Sequence, residues 1–464
     1  MTLIRKYIGD RAFYKRLLAV MLPVLIQNVI TNFVSLLDNL MIGQVGTEPM
    51  SGVAIVNQLL FVFNLCIFGG LSGAGIFTAQ FFGKGDFEGV RHSMRLKFYI
   101  AVIAALLFGT AFALFGKPLI RLFLHEGEAG LDLEATLRFG QEYLWIMLLE
   151  MLPFAVMQVY GSTLRECGET MLPMKAGVAA ILVNLVLNYI LIFGKLGFPA
   201  LGVRGAAIAT VIARLTECAI VVIWSHCHSK QHPYICGLYR SIRVPAALLK
   251  KVAVKGLPLL VNEVLWSAGM TTLTQAYSVR GLEVVSAMNI SSTVSNLFFC
   301  AFFATGTTIA IMIGQLLGAG KLEQAVEEDR KLIAFAVALS MVVGALMTVF
   351  APLIPNLYNT QEEVRRLATA LLYVVAAMMP FNAFTNSSYF TLRSGGRTVI
   401  TFLFDSVFIW TFNVPLAMIL VHATDFPILA IFLAVQSVEL IKVVLGAILL
   451  KRRTWVINLV DHIG

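Results

Sequence analysis

Charged side chains are scarce in this chain: 13% of its 464 residues, where an ordinary soluble domain has about 25%. The hydrophobic share is 58%, leaving too little polar surface to cover a water-facing globule. A soluble protein of two or three domains is thereby excluded, and lipid must be the solvent for much of the chain. Cysteine is sparse as well. Cys66, Cys167, Cys218, Cys227, Cys236 and Cys300 are scattered with no CxxC pair, which fits a reducing side or burial in lipid better than a disulfide framework. There is no HExxH, GxSxG or phosphate-binding loop, and no His within the core of an apolar run, so a membrane enzyme or an ATP-driven pump has no visible machinery. His226, Cys227, His228, His232 and Cys236 crowd one polar stretch but match no standard zinc spacing. Neither a metal nor an organic cofactor is expected.

Apolar runs of about 20 residues, the length that spans a bilayer as a helix, recur at roughly 17–40, 51–80, 96–116, 140–163, 172–193 and 203–225. After a polar break they return at roughly 256–280, 285–314, 332–352, 367–391, 398–421 and 427–450. The spacing predicts twelve transmembrane helices and an all-α fold. The first run continues past a short signal core into Asn28 and Asp38 without a small-residue cleavage site, so it is expected to stay as the first span. The net charge of +9 lies mostly in the connections: with the N-terminus inside, 25 Lys and Arg fall on inner segments and 8 on outer ones. That asymmetry orients a multi-pass protein of the inner (plasma) membrane with both termini cytoplasmic. No aromatic and basic run resembles a platform for nucleic acid; the expected partners are small-molecule substrates, a coupling cation and membrane lipids.

The chain repeats itself. A shift of 235 residues lays Leu22-Pro23 on Leu257-Pro258, Gly46 on Gly281, and Gln80, Gly83, Gly85 and Glu88 on Gln315, Gly318, Gly320 and Glu323. A shift of 228 lays Thr163-Leu164-Arg165 on Thr391-Leu392-Arg393. Six spans is an even number, so the halves run parallel, one of the two repeat types of transporters. The expected partition is a lobe over 1–225, a cytoplasmic linker over 226–255 and a lobe over 256–464, forming two pseudo-symmetric six-helix bundles.

Polar residues within spans are costly, so they must face protein or water. Gln27, Thr31, Ser35 and Asp38 form one stripe of the first helix, widened by Asn28, Asn32 and Asn39. Such a stripe lines a cavity, and Pro23 above it supplies a hinge. The seventh span repeats the stripe with Glu263, Ser267, Thr271 and Thr274; Asn57, Asn289 and Asn382 are further cavity candidates. Asn184 and Asn188 lie one turn apart, and Thr210 sits one turn inside the sixth span. With Asp38 they make four oxygen-bearing side chains, the type hard cations prefer. Glu150, Asp405 and Glu439 suggest structural pairs or interface positions. Arg214 and Lys442 are the only basic residues well inside the expected spans, away from their ends and off the polar stripes.

In this order, Leu22-Pro23, Leu37-Asp38-Asn39 to Gly46, Gly83-Lys84-Gly85, Thr163-Leu164-Arg165 to Thr170, Asn184 to Asn188, Gly205 to Thr210 and Thr391-Leu392-Arg393 to Gly396 resemble the multidrug and toxic compound extrusion (MATE) family, in its prokaryotic branch. The similarity runs the length of the chain. It implies twelve helices in two lobes, alternating access, and export of organic, often cationic, compounds in exchange for H⁺ or Na⁺. It further implies a cation site at Asp38, Asn184 and Thr210. Asn188 departs from the family pattern, standing where a second Asp is usual, and Glu263 matches an acidic residue used by some relatives. A flippase for lipid-linked oligosaccharide shares the architecture but needs a more basic cavity. A scaffold or receptor gives no reason for polar stripes in both halves.

Overall fold

The computed structural model describes residues 6–124, 132–358 and 360–461, the side chains of Ser35, Leu36 and Leu282 excepted. Among the described residues there is no strand. Within them twelve long helices follow one another: α1 (Arg11–Gly43), α2 (Thr47–Lys84), α3 (Phe87–Arg121), α4 (Leu133–Glu166), α5 (Met171–Phe193), α6 (Val203–Cys227), α7 (Ala246–Ser278), α8 (Leu282–Gly318), α9 (Leu322–Phe350), α10 (Glu362–Ser394), α11 (Thr398–Ala423) and α12 (Ile428–Lys451). Every expected span falls on one of them. Eleven are long and apolar enough to cross a membrane. α7 falls short because Asn262, Glu263 and Ser267 interrupt its apolar stretch.

The helices outrun the bilayer. α2 has 38 residues, about 57 Å at 1.5 Å per residue, nearly twice the ~30 Å of hydrocarbon. Apolar side chains such as Ile103, Leu106, Leu107 and Leu114 of α3 are exposed, a surface only lipid can solvate. Helix ends are closed locally. Asp132 accepts from the N–H groups of Glu134 and Ala135, both at 3.0 Å, satisfying orphan donors of α4. Gly194 ends α5 with φ +63°, a left-handed turn that glycine adopts without strain. At Gly205 of α6 a Cβ would lie 2.6 Å from the Leu191 carbonyl, so the missing side chain is what lets α6 lie against α5.

Two compact units emerge. One is Ile26–Thr78 with Phe87–Lys250; the other is Met1–Leu25, Ala79–Asp86 and Lys251–Gly464. The expected partition follows chain order, whereas compactness assigns most of the linker to the first unit and two early segments to the second. α1 passes from one unit to the other just beyond Pro23, which has no N–H to give to the preceding turn.

In the first unit, the Arg95 guanidinium holds the linker by donating to the carbonyls of Leu238 (2.9 Å), Gly237 (3.1 Å) and Arg243 (3.4 Å). The Tyr160 hydroxyl meets His226 Nε2 at 2.8 Å and the Tyr239 hydroxyl at 2.5 Å, and His228 stacks on Trp224. These contacts occupy the aromatic and imidazole groups of the linker in packing. Burial holds the basicity of His232 below its ordinary value.

In the second unit, Phe13, Leu17 and Met21 of α1 join a core with Ile309, Ile313 and Leu317 of α8 and Trp455, which is 1% exposed. The segment after α12 folds back over it. Gln80 at the end of α2 accepts from the Leu459 N–H at 2.7 Å and donates to the Ser394 carbonyl at 2.9 Å. Lys84 donates to the Val460 carbonyl at 3.1 Å.

Candidate functional site

Within the first unit, α1, α5 and α6 bring Asp38, Asn184, Asn188 and Thr210 together. Asn184 and Asn188, 6% and 2% exposed, are one turn apart on α5 and so share a face. Asn188 Nδ2 donates to Asp38 Oδ1 at 2.8 Å. With the Asn184 amide oriented so that both its groups are satisfied, its nitrogen donates to both Asp38 oxygens, at 2.9 and 3.2 Å, and its oxygen accepts from the Thr210 hydroxyl at 3.3 Å.

Two observations define what this cluster can hold. Asp38 receives amide N–H groups, so its carboxylate is hydrogen-bonded by neutral donors. Asn188 Oδ1 is buried with no hydrogen-bond partner among the described residues, an orphan acceptor of the kind a bound ion or proton explains. All four residues carry oxygen, so the set fits a proton or a small hard cation.

The other α1 residues are spread more widely. Gln27 and Asn28 are half-buried, Thr31 and Asn32 exposed, and Asn32 Nδ2 donates to the Asn28 carbonyl of its own helix at 2.9 Å. The Ser35 side chain lies outside the described residues. Asn57, exposed on α2, accepts from the Tyr143 hydroxyl at 3.4 Å. Tyr143 itself, buried on α4, escapes the sequence reading, since one Tyr among apolar residues shows no pattern.

In the second unit, Glu263 and Ser267 are half-buried on α7, and the hydroxyls of Thr271 and Thr274 bond their own helix. Asn382 is half-buried on α10, and Pro23 is buried. Asn289 lines an open surface pocket of about 330 Å³ with Ser286, Ile290, Thr293, Tyr358 and Thr360. The tightest polar knot belongs to Asn262, next to Glu263. Its Nδ2 donates to Asp405 Oδ2 at 3.1 Å, and its Oδ1 accepts from the Ser406 hydroxyl at 2.7 Å. Asp405 begins an ion-pair set with Lys442 (3.6 Å), which also meets Glu439 at 3.2 Å. Two π-turns of α11, Leu403–Val407 and Ile409–Asn413, surround Asp405 and Ser406. An Asn inside a polar stripe looks like any other stripe member; nothing in spacing reveals that it clamps another helix.

Comparison with known proteins places these elements. The MatE family model matches residues 23–190 and 258–419, covering both repeats. The probable multidrug resistance protein NorM of Thermotoga maritima is 25% identical over 409 residues, spanning 88% of this chain and 85% of that one. The probable NorM of Halalkalibacterium halodurans is 25% identical over 419 residues, 88% and 87% of the two chains. Among solved structures, an outward-facing multidrug resistance MATE family transporter of the MOP superfamily aligns with a TM-score of 0.85 at 18% identity, covering 97% of each chain. The Vibrio cholerae MATE transporter VcmN in the bent form aligns at 0.83 and 20% identity, covering 95% and 97%.

Proposed function

The chain belongs to the MatE family, and on that premise we propose that it is a secondary active exporter of organic, often cationic, small molecules. Export is driven by an inward cation through alternating access in the inner membrane, with both termini cytoplasmic. The observation that carries this reading is the Asp38 cluster: a carboxylate on a membrane helix, held by Asn188 at 2.8 Å and by the Asn184 amide. One carboxylate met by N–H donors favours H⁺ over Na⁺, because sodium requires oxygens turned toward it. Asp38 binds the proton from outside. Its neutralisation weakens its hold on α5 and lets α1 bend near Pro23, lowering affinity for the exported compound. Coupling of a few kcal/mol suffices for exchange. One charge crossing 100 mV supplies ~2.3 kcal/mol, enough for roughly a fifty-fold gradient of a neutral solute at 1.4 kcal/mol per factor of ten.

The test uses purified protein in liposomes with imposed pH or Na⁺ gradients and a panel of fluorescent organic cations. Wild type moves them uphill under a pH gradient, while Asp38→Asn, expressed at the same level, loses coupled transport. Full uphill transport by that variant removes Asp38 from the mechanism.

A further inference from the structure

Between Glu217 and Glu263 the chain carries no acidic residue. The part of this stretch that belongs to the first unit holds Lys230, Arg240, Arg243 and Lys250, all exposed. At its centre, apolar and basic side chains alternate as Tyr239, Arg240, Ile242 and Arg243. Tyr239 is 64% exposed and Ile242 76%. Neither Arg240 nor Arg243 has a side-chain hydrogen bond or ion pair among the described residues. Glu88, in the first turn of α3, is engaged instead by Arg91, His92 and Arg95.

This segment is fixed on α3 where the apolar run of that helix begins, at about residue 96. Arg95 and Tyr99 are one turn apart and share a face. Arg95 holds the carbonyls of Gly237, Leu238 and Arg243, and the Tyr99 hydroxyl donates to the Ile242 carbonyl. The Tyr239 ring lies 6.1 Å from that of Phe98. One turn beyond Tyr99 stands Ile103, the first of the exposed α3 side chains that lipid solvates. Tyr239 and Ile242 therefore continue the lipid-facing surface at its rim, where hydrocarbon gives way to headgroups. Tyrosine collects at that depth, and arginine can lay its stem along apolar surface there with its head in the polar layer.

We propose that residues 239–243 bind the headgroup of an acidic phospholipid in the leaflet they face. Tyr239 and Ile242 seat in the interface, and Arg240 and Arg243 take the phosphate, which a guanidinium meets with two parallel N–H donors. A zwitterionic lipid offers the same phosphate but brings its own cation into a stretch that has no acid to receive it. An acidic headgroup brings only the missing charge, so it is preferred. The inference goes beyond the exporter reading and requires only that α3 spans a bilayer.

The test places a bimane fluorophore at Ile242→Cys in protein carrying Cys227→Ser and Cys236→Ser, reconstituted in phosphatidylcholine vesicles. The signal of the same protein without Ile242→Cys is subtracted. Brominated phosphatidylglycerol or brominated phosphatidylcholine is then added at equal mole fraction as quencher. Both should quench, with phosphatidylglycerol favoured about tenfold or more in relative affinity. R240Q/R243Q should cut the preference to about twofold or less while phosphatidylcholine still quenches, and R240K/R243K should keep most of it. Equal quenching by the two lipids overturns the acidic-lipid assignment, and no quenching by either overturns the interfacial seat. An unchanged preference in R240Q/R243Q overturns the role of the two arginines. Loss of all quenching in that variant also overturns it, marking them as structural. Inorganic phosphate, compared with chloride at equal ionic strength, should leave the preference intact; a preference abolished by phosphate alone assigns the site to a free anion and overturns the lipid.

Discussion

The internal repeat makes one contact twice, and this can be tested quantitatively. A Cβ on Gly83 would lie 1.9 Å from the carbonyl oxygen of Gln315, and a Cβ on Gly318 would lie 1.9 Å from that of Gln80. Gly83 aligns with Gly318 and Gln80 with Gln315, so the ends of α2 and α8 cross by a reciprocal pair of glycine-to-carbonyl contacts. An ordinary carbon–oxygen contact is about 3.4 Å, so one methyl forces the backbones apart by about 1.5 Å. Overpacking against backbone costs about 1–3 kcal/mol. Gly83→Ala or Gly318→Ala should each lower stability by that amount. The double variant should lose clearly less than the sum, since helices parted for one methyl already admit most of the second. Gly85→Ala and Gly320→Ala are controls: φ is +79° and +72° with nothing within 4 Å, so only left-handed strain of about 1 kcal/mol applies and the pair should be additive. Thermal unfolding of detergent-purified variants reads all four. A Gly83→Ala protein as stable as wild type, or strict additivity in the double variant, would refute the crossing.

Two further outcomes follow from the cluster and the linker. Asn188→Asp puts a second carboxylate beside Asp38, and two carboxylates sharing a site cannot both ionise without a cation between them; transport should become stimulated by a Na⁺ gradient at fixed pH, and indifference to Na⁺ would contradict the oxygen-site reading. Arg95→Met removes the donor to three linker carbonyls; hydrogen bonds from a charged group contribute ~1.5 kcal/mol or more, so limited trypsin digestion at Lys230, Arg240 and Arg243 should quicken about tenfold or more. Unchanged cleavage would show that the aromatic contacts of Tyr160 and Tyr239 suffice to hold the linker.

Twelve helices were legible because hydrocarbon imposes one length and one composition on anything that crosses it. The repeat was legible at its glycines, set by a close backbone approach at Gly83 and Gly318 and by left-handed backbone at Gly85 and Gly320. Asp38, Asn184, Asn188 and Thr210 could be assembled in advance because three lie on helices whose faces their spacing defines, and the family resemblance joined them. What stayed hidden lies in the pairing of helices. Glu150, Asp405 and Glu439 stood out as costly acids, yet their partners, Arg214 and Lys442, lie off the polar stripes and are found only once α4 meets α6 and α11 meets α12. Tyr143 and Asn262 hold their places through the directions of their hydrogen bonds, which periodicity does not encode. The lengths of the helices beyond the bilayer were hidden as well, since water-exposed turns carry no hydropathy signal.

The fold-back of residues 455–460 onto Gln80 has a consequence for biosynthesis. The Leu459–Gln80 bond closes a separation of 379 positions, while nearly everything in the first unit lies within residues 26–250. As the nascent chain leaves the ribosome, the first unit can reach its native packing while the final helices are still being made. The C-terminal end of α2 must meanwhile wait, with the Gln80 amide without its native partners, until the late segment arrives. Completion of the second unit therefore waits on residues 455–460.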